Sequence, residues 1–268
     1  MKPPIQYFGA KGAIADRIVS LMPSHAGYVE PFAGSLAVLL AKPPVAAEVV
    51  NDLDRRLMTF WRVLRDRPEE LVRAASLTPH SRAELAEAQS LAATDDLELA
   101  RQVWVLLTQG RSRTLQRTGW RFFARPDRGG SAFGQYMAAY RDRLPAAALR
   151  LAEVSLECRP ALEVVEQYGA YESNLLYVDP PYVTESRQGG RYSIEMSRQD
   201  HIDLAHELNR CNASVMLSGY RSKAYEDLYG DWYQVSISTT SANSSDRARV
   251  EVVWSNRPLE SALFEVIA

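Results

Sequence analysis

The chain has 268 residues, 46% of them hydrophobic, which is enough to bury a full core and to form one large α/β domain or a domain carrying a sizeable insertion. Its net charge of −2 argues against a nonspecific nucleic-acid coat, which draws affinity from Lys and Arg on phosphates, and its two distant cysteines, Cys158 and Cys211, exclude a disulfide framework or cysteine-rich zinc site and point to a reducing cytosol. No apolar run approaches the roughly 20 residues that span a bilayer, and the N-terminal stretch lacks a signal-peptide core, so no membrane association is expected.

In chain order, a glycine-containing loop leads into a helix expected over 12–22, with Ile14, Ile18, Val19 and Met22 on one face and Pro23 ending it. A strand at 28–30, a turn through Pro31 to Gly34, a helix over 36–41 and a strand at 47–50 make a β-turn-α-β unit. From Arg55 to about Gln109 the periodicity is helical, with no strand alternation. Residues 110–131 are irregular and rich in Arg, Gly and aromatics, and a helix over 132–144 then stops at Pro145. The βα alternation resumes with strand 154–156, helix 161–168, strand 175–178, helix 199–209 and strand 214–217. Two alternating segments, 233–239 and 250–254, flank loop composition and read as an antiparallel hairpin. Alternation that stops and resumes predicts a doubly wound α/β sheet built from 1–58 and 150–268, interrupted by a mostly helical insertion over 59–149.

Open α/β sheets bind ligands beyond the carboxyl ends of their strands, so the turns after strands are the positions to inspect. The first, Glu30-Pro31-Phe32-Ala33-Gly34-Ser35, puts small residues where backbone must approach a ligand, although plain packing geometry explains such a turn as well. The second, Asn51-Asp52-Leu53-Asp54, carries an acidic residue able to accept both hydrogen bonds of a ribose diol, while Asp54 reads equally as a helix N-cap. The third, Asp179-Pro180-Pro181-Tyr182, is more specific. Two consecutive prolines forbid a helix start and ladder bonding, so the backbone is fixed and extended. Such a corner aims the Asp179 carboxylate and the Pro180 carbonyl one way, two acceptors for an NH2 group, with the flat face of Tyr182 beside them. A planar aminated base fits that shape.

At these residues the chain resembles the Dam-type adenine-specific DNA methyltransferases of phages and bacteria, over nearly its whole length and with the motifs in the family's order. Tyr7-Phe8-Gly9-Ala10-Lys11 matches the family's N-terminal aromatic-x-Gly-x-Lys loop, Glu30 to Ser35 its glycine turn, Asn51 to Asp54 its ribose-binding turn and Asp179 to Tyr182 its catalytic DPPY. Tyr192 with Glu195-Met196-Ser197, Asp200-His201, Leu217 to Tyr220 and Glu251 to Asn256 extend the likeness through the tail. The resemblance implies a Rossmann-like class I methyltransferase sheet, S-adenosylmethionine as methyl donor with S-adenosylhomocysteine as product, and no metal. It implies donor contacts at Tyr7, Gly9, Lys11, Pro31, Phe32, Gly34, Asp52 and Asp179, and catalysis by Asp179, Pro180, Pro181 and Tyr182 on the amino nitrogen of a flipped adenine. A monomer or weak dimer acting on double-stranded DNA in a bacterial or phage-infected cytoplasm follows. One departure stands out: Pro160 occupies the position where the family usually has an Asp for the donor's adenine ring.

Between Gly110 and Gly130 stand Arg111, Arg113, Arg117, Arg121, Arg125 and Arg128, opposed only by Asp127 and interleaved with Trp120, Phe122 and Phe123. Arginines of this kind neutralise phosphates or grip guanine edges, so Arg111, Arg113, Arg117, Trp120, Arg121 and Arg125 are the expected DNA contacts. His201 and His206 are poorly spaced for a metal. RNA adenine, cytosine N4 or a catalytically silent DNA-binding relic remain as alternative readings; Asp at 179 favours adenine, since Ser is commoner in the cytosine enzymes.

Overall fold

The computed structural model describes residues 1–90, 92–122, 133–182, 195–239 and 249–260. Seven strands form one sheet: β1 (Gly27–Glu30), β2 (Ala47–Asn51), β3 (Val154–Glu157), β4 (Asn174–Val178), β5 (Ser214–Tyr220), β6 (Tyr233–Thr239) and β7 (Arg249–Ser255). Their order is β3-β2-β1-β4-β5-β7-β6; β1 to β5 are parallel, and β7 runs antiparallel between β5 and β6. All seven expected strands are present, and the closing pair is the expected hairpin. The sheet is Rossmann-like, with its order reversing between β1 and β4.

β1 and the ends of β2 and β4 are buried on both faces, as parallel strands covered by helices must be. Alternate side chains feed two cores. Tyr28, Val50, Leu175 and Tyr177 join the core that also holds α1 (Ala15–Val19), α2 (Ala37–Ala41) and α3 (Arg55–Asp66). Val29, Val49, Leu176 and Val178 pack instead with α9 (Ala161–Gly169) and α10 (Arg198–Arg210).

The insertion contributes α4 (Pro68–Leu77), α5 (Arg82–Ala88), α6 (Asp96–Gln109), α7 (Phe133–Arg141) and α8 (Leu144–Leu151) between β2 and β3. Trp104, Leu106 and Leu85 belong to the same apolar cluster as Tyr28 and Val50, so the insertion's core is continuous with one face of the sheet. α3 runs through residue 58, where the sequence suggested a boundary.

Two expectations need correction, and one helix was not foreseen. The helix over 12–22 contracts to α1, with turns on either side. Pro145 does not end a helix; it lies in the first turn of α8, where a missing N–H costs nothing because that donor has no helical partner. A further helix, α11 (Lys223–Tyr229), follows β5, capped by the Ser222 hydroxyl accepting from the Tyr225 N–H at 3.2 Å. Among the described residues no helix is long and apolar enough to cross a membrane.

Candidate active site

A cavity of about 310 Å3 opens beyond the carboxyl ends of β1, β2 and β4, at the reversal of strand order. Tyr7, Gly9, Lys11, Pro31, Phe32, Gly34, Asp52 and Asp179 all line it, so the structure brings together residues from four separate stretches of sequence. Its volume falls at the lower end of the roughly 300–1,000 Å3 of small-molecule pockets. Six acidic side chains, those of Glu30, Asp52, Asp54, Asp179, Glu195 and Asp200, stand in the lining against one basic side chain, Lys11, with Glu30 kept protonated at neutral pH by burial. That balance repels a polyphosphate and suits a ligand carrying positive charge.

The glycine turn is held from several sides. Gly34 has φ of 48°, a left-handed conformation that favours glycine, and a Cβ there would stand 3.4 Å from the Tyr7 ring. Asp52 accepts from the Gly34 N–H at 3.1 Å and from the Asp54 N–H at 2.9 Å. Trp61, from α3, donates its indole N–H to the Gly34 carbonyl at 3.1 Å. Burial raises the Asp52 carboxyl to about 6, with the Asp54 and Gly34 amides pulling the other way. Asp54 is the N-cap of α3, accepting from the Arg56 N–H at 3.0 Å, as one of its two readings had it.

Two residues named within those turns have supporting roles that the sequence reading did not assign. Asn51 is fully buried and staples two loops, donating to the Pro31 and Arg159 carbonyls and accepting from the Arg159 N–H at 2.9 Å. Glu30 is 2% exposed and accepts from the Tyr28 hydroxyl and the Leu39 N–H, each at 2.7 Å. Burial pushes its carboxyl up to about 8, against the pull of those two bonds. Pro160, Ala161 and Leu162 line the cavity where the family's Asp was expected. Glu157, the nearest acidic residue before that point in the chain, is committed elsewhere, paired with Arg159 and accepting from the Tyr168 hydroxyl at 2.6 Å.

The double-proline corner follows β4. Pro180 is buried, and Asp179, Pro181 and Tyr182 are half-buried. Lys11 Nζ donates to both Asp179 oxygens at 2.7 Å, to the Tyr182 hydroxyl at 2.6 Å and to the Gly9 carbonyl at 2.9 Å. Burial lowers the Lys11 pKa, but Asp179 and Glu251 more than offset it and the net shift is upward, so the group is an ammonium. Tyr182 donates to Glu251 at 2.7 Å and its ring lies 4.7 Å from that of Tyr220. His201 is buried near this corner with Nδ1 3.4 Å from the Tyr225 hydroxyl, and burial lowers its pKa, so it sits in the core rather than on the helix surface. Among the described residues no group of His, Cys, Asp and Glu could hold a metal ion.

The arginine-rich segment divides. A bridge between Gly110 and Trp120 closes a short hairpin on which Arg111, Arg113 and Arg117 are exposed. Trp120 is half-buried, stacked between His80 at 4.4 Å and Phe122 at 5.6 Å. Arg121 turns inward, donating to Gln6 at 3.0 Å and to the Tyr136 hydroxyl, which suits a strut between the insertion and the N-terminal loop better than a phosphate contact. Arg125, Phe123, Arg128 and Tyr192 lie outside the described residues.

The family model described as D12 class N6 adenine-specific DNA methyltransferase matches residues 7–244, from the N-terminal aromatic loop to beyond β6. A Type II methyltransferase of Lactococcus lactis subsp. cremoris, M1.LlaDCHI, is 25% identical over 280 residues, covering 96% of this chain and 95% of that protein. With the match spanning the cavity, the double-proline corner and the insertion alike, the chain belongs to the D12 class of N6 adenine-specific DNA methyltransferases.

Proposed function

We propose that the cavity holds S-adenosylmethionine and that an adenine flipped out of double-stranded DNA meets it at Asp179. The observation that carries the reading is the double position of Asp179, which lines the cavity and also binds Lys11 beside Tyr182 on the corner. The donor, when bound, supplies an electrophilic methyl on a sulfonium. The acidic lining fits that cation, Asp52 on the cavity wall would accept from a ribose diol, and the left-handed Gly34 leaves room for close approach. Leu53 and Leu162, 46% and 39% exposed, are apolar surfaces on the cavity wall that a purine would cover.

The adenine amine is a poor nucleophile because its lone pair is delocalised into the ring. Hydrogen bonds from that amine to the Asp179 carboxylate and the Pro180 carbonyl favour a tetrahedral nitrogen and localise the pair. One charged hydrogen bond contributes about 1.5–3 kcal/mol, whereas near-attack positioning of two reactants supplies roughly 7–11 kcal/mol. The rigid corner therefore matters more for where it holds the base than for the strength of any single bond. Extruding the base costs a few kcal/mol, and stacking on Tyr182 returns about 1–3 kcal/mol. Residues 59–149 serve as the target-recognition unit, with Arg111, Arg113 and Arg117 presented to the duplex.

Asp179→Ala tests the reading. It should abolish methyl transfer while leaving folding and most DNA affinity in place. Turnover equal to that of the unaltered protein would refute the role.

A further inference from the structure

Glu251 stands apart from the residues that line the cavity, yet it joins the charged cluster at the corner. It lies near the start of β7, paired with Tyr220 at the end of β5; because β7 is antiparallel, this brings it to the edge where the parallel strands end. Only 3% exposed, it accepts the Tyr182 hydroxyl at 2.7 Å and lies 3.5 Å from Lys11 Nζ. We propose that Glu251 is a positioning residue for methyl transfer, holding the phenol proton of Tyr182 away from Asp179 and offering Lys11 a second anion to which it shifts when the amine arrives at that carboxylate. The inference rests on the role of Asp179 proposed above.

Hydrogen counting supports it. Lys11 has three protons and meets four oxygens: the Gly9 carbonyl, both Asp179 oxygens and the Tyr182 hydroxyl. Its grip on both Asp179 oxygens engages the acceptors that the amine requires. Glu251 offers the ammonium a second anion within one small side-chain shift. Tyr182 has one proton and two carboxylates within reach, Glu251 at 2.7 Å and Asp179 Oδ1 at 3.4 Å. While Glu251 is an anion the proton stays on its side, and the hydroxyl oxygen is turned to Lys11. Without it, the proton turns to Asp179 and occupies an oxygen meant for substrate.

Five groups bear on Glu251: Lys11 from the N-terminal loop, Asp179 and Tyr182 from the corner, Tyr177 within β4 and Tyr220 ending β5. Burial raises the Glu251 carboxyl and Lys11 opposes that rise. A raised carboxyl protonates at a less acid pH than an exposed one, so the arrangement fails as pH falls through its pKa and is complete above it.

The test uses the purified full chain, labelled S-adenosylmethionine and unmethylated genomic DNA. Glu251→Ala should lower kcat roughly 10- to 100-fold, the size of one charged hydrogen bond, with donor KM and calorimetric S-adenosylhomocysteine affinity little changed. Glu251→Gln, which keeps an acceptor for the phenol but not the charge, should recover part of that loss. Both should lack the acid limb of the kcat against pH profile that the unaltered protein shows. Adding Tyr182→Phe to Glu251→Ala should cost no more than the worse single change, since both act through one path. An unaltered kcat and acid limb in Glu251→Ala would overturn the proposal, as would loss of S-adenosylhomocysteine binding in step with a lowered melting temperature in both Glu251 variants. Transfer surviving in Asp179→Ala would instead remove the underlying reading of the site, which separates the two failures.

Discussion

Glu30→Gln isolates the electrostatic cost of the cavity floor. Glu30 ends β1 with one oxygen accepting from Tyr28 and from the Leu39 N–H in the first turn of α2. Glutamine keeps that acceptor and the shape, and removes only ionisation. The carboxyl is raised from 4.5 to about 8 by burial, so folding opposes its charge. In the unfolded chain it ionises near its ordinary value; the folded protein keeps the proton until about pH 8. The destabilisation therefore begins above pH 4.5, grows with pH and is complete above pH 8. From pH 5.5 to 8.5 it amounts to on the order of 3 kcal/mol. For a protein of this size that is roughly 10 °C in melting temperature. The assay is thermal unfolding of both proteins across this range, read as the difference between them so that other titrating groups cancel. Glu30→Gln should gain stability over the unaltered protein steadily as pH rises. A difference that is flat with pH would refute the claim that Glu30 holds its proton in the folded state at neutral pH.

Further outcomes follow from the same geometry. Asp52→Asn should weaken S-adenosylhomocysteine binding by roughly 10- to 100-fold at pH 7.5, the value of a charged acceptor. Because the Asp52 carboxyl is raised to about 6, affinity in the unaltered protein should fall as pH drops below 6 and stay level in the variant, as followed by calorimetry. Gly34→Ala should cost on the order of 1–2 kcal/mol of stability from its positive φ and weaken the same binding through contact with Tyr7, read by melting with and without ligand. Arg113→Ala and Arg117→Ala should each lower DNA affinity and reduce the salt slope by about 1, leaving S-adenosylhomocysteine affinity unchanged; equal loss of both affinities would indicate a structural role.

The strands were legible because β1, β2 and β4 are short and mostly apolar and β6 and β7 alternate, and each pattern has one packing solution in a covered or half-covered sheet. Their turns were legible for a related reason: a double proline or a left-handed glycine is rarely placed where backbone shape does not matter. Pro145 misled because proline marks the first turn of a helix as well as the end of one, and only the partner surface, here α3 and α4 under α8, decides between them. α11 is short, and its buried Tyr225 and Tyr229 gave too brief a period to detect. The roles of Glu251 and Asn51, both named within motifs, were hidden for a different reason. Each is a polar residue within a strand, so its importance depends on which other strand end lies beside it. The one available signal was an acidic residue heading the apolar run Val252 to Trp254, a charge that burial at that edge obliges to find a partner. Arg121 shows the converse, a residue of the right type in the right run that the fold turns inward to Gln6.

The most direct test of the account is nucleoside analysis after incubating the purified protein with labelled S-adenosylmethionine and, separately, unmethylated double-stranded DNA and RNA, with Asp179→Ala run alongside. Label is expected in N6-methyldeoxyadenosine from DNA with the unaltered protein, and none with the variant. Label in N4-methyldeoxycytidine, label in RNA alone, or an undiminished adenine signal from Asp179→Ala would contradict it.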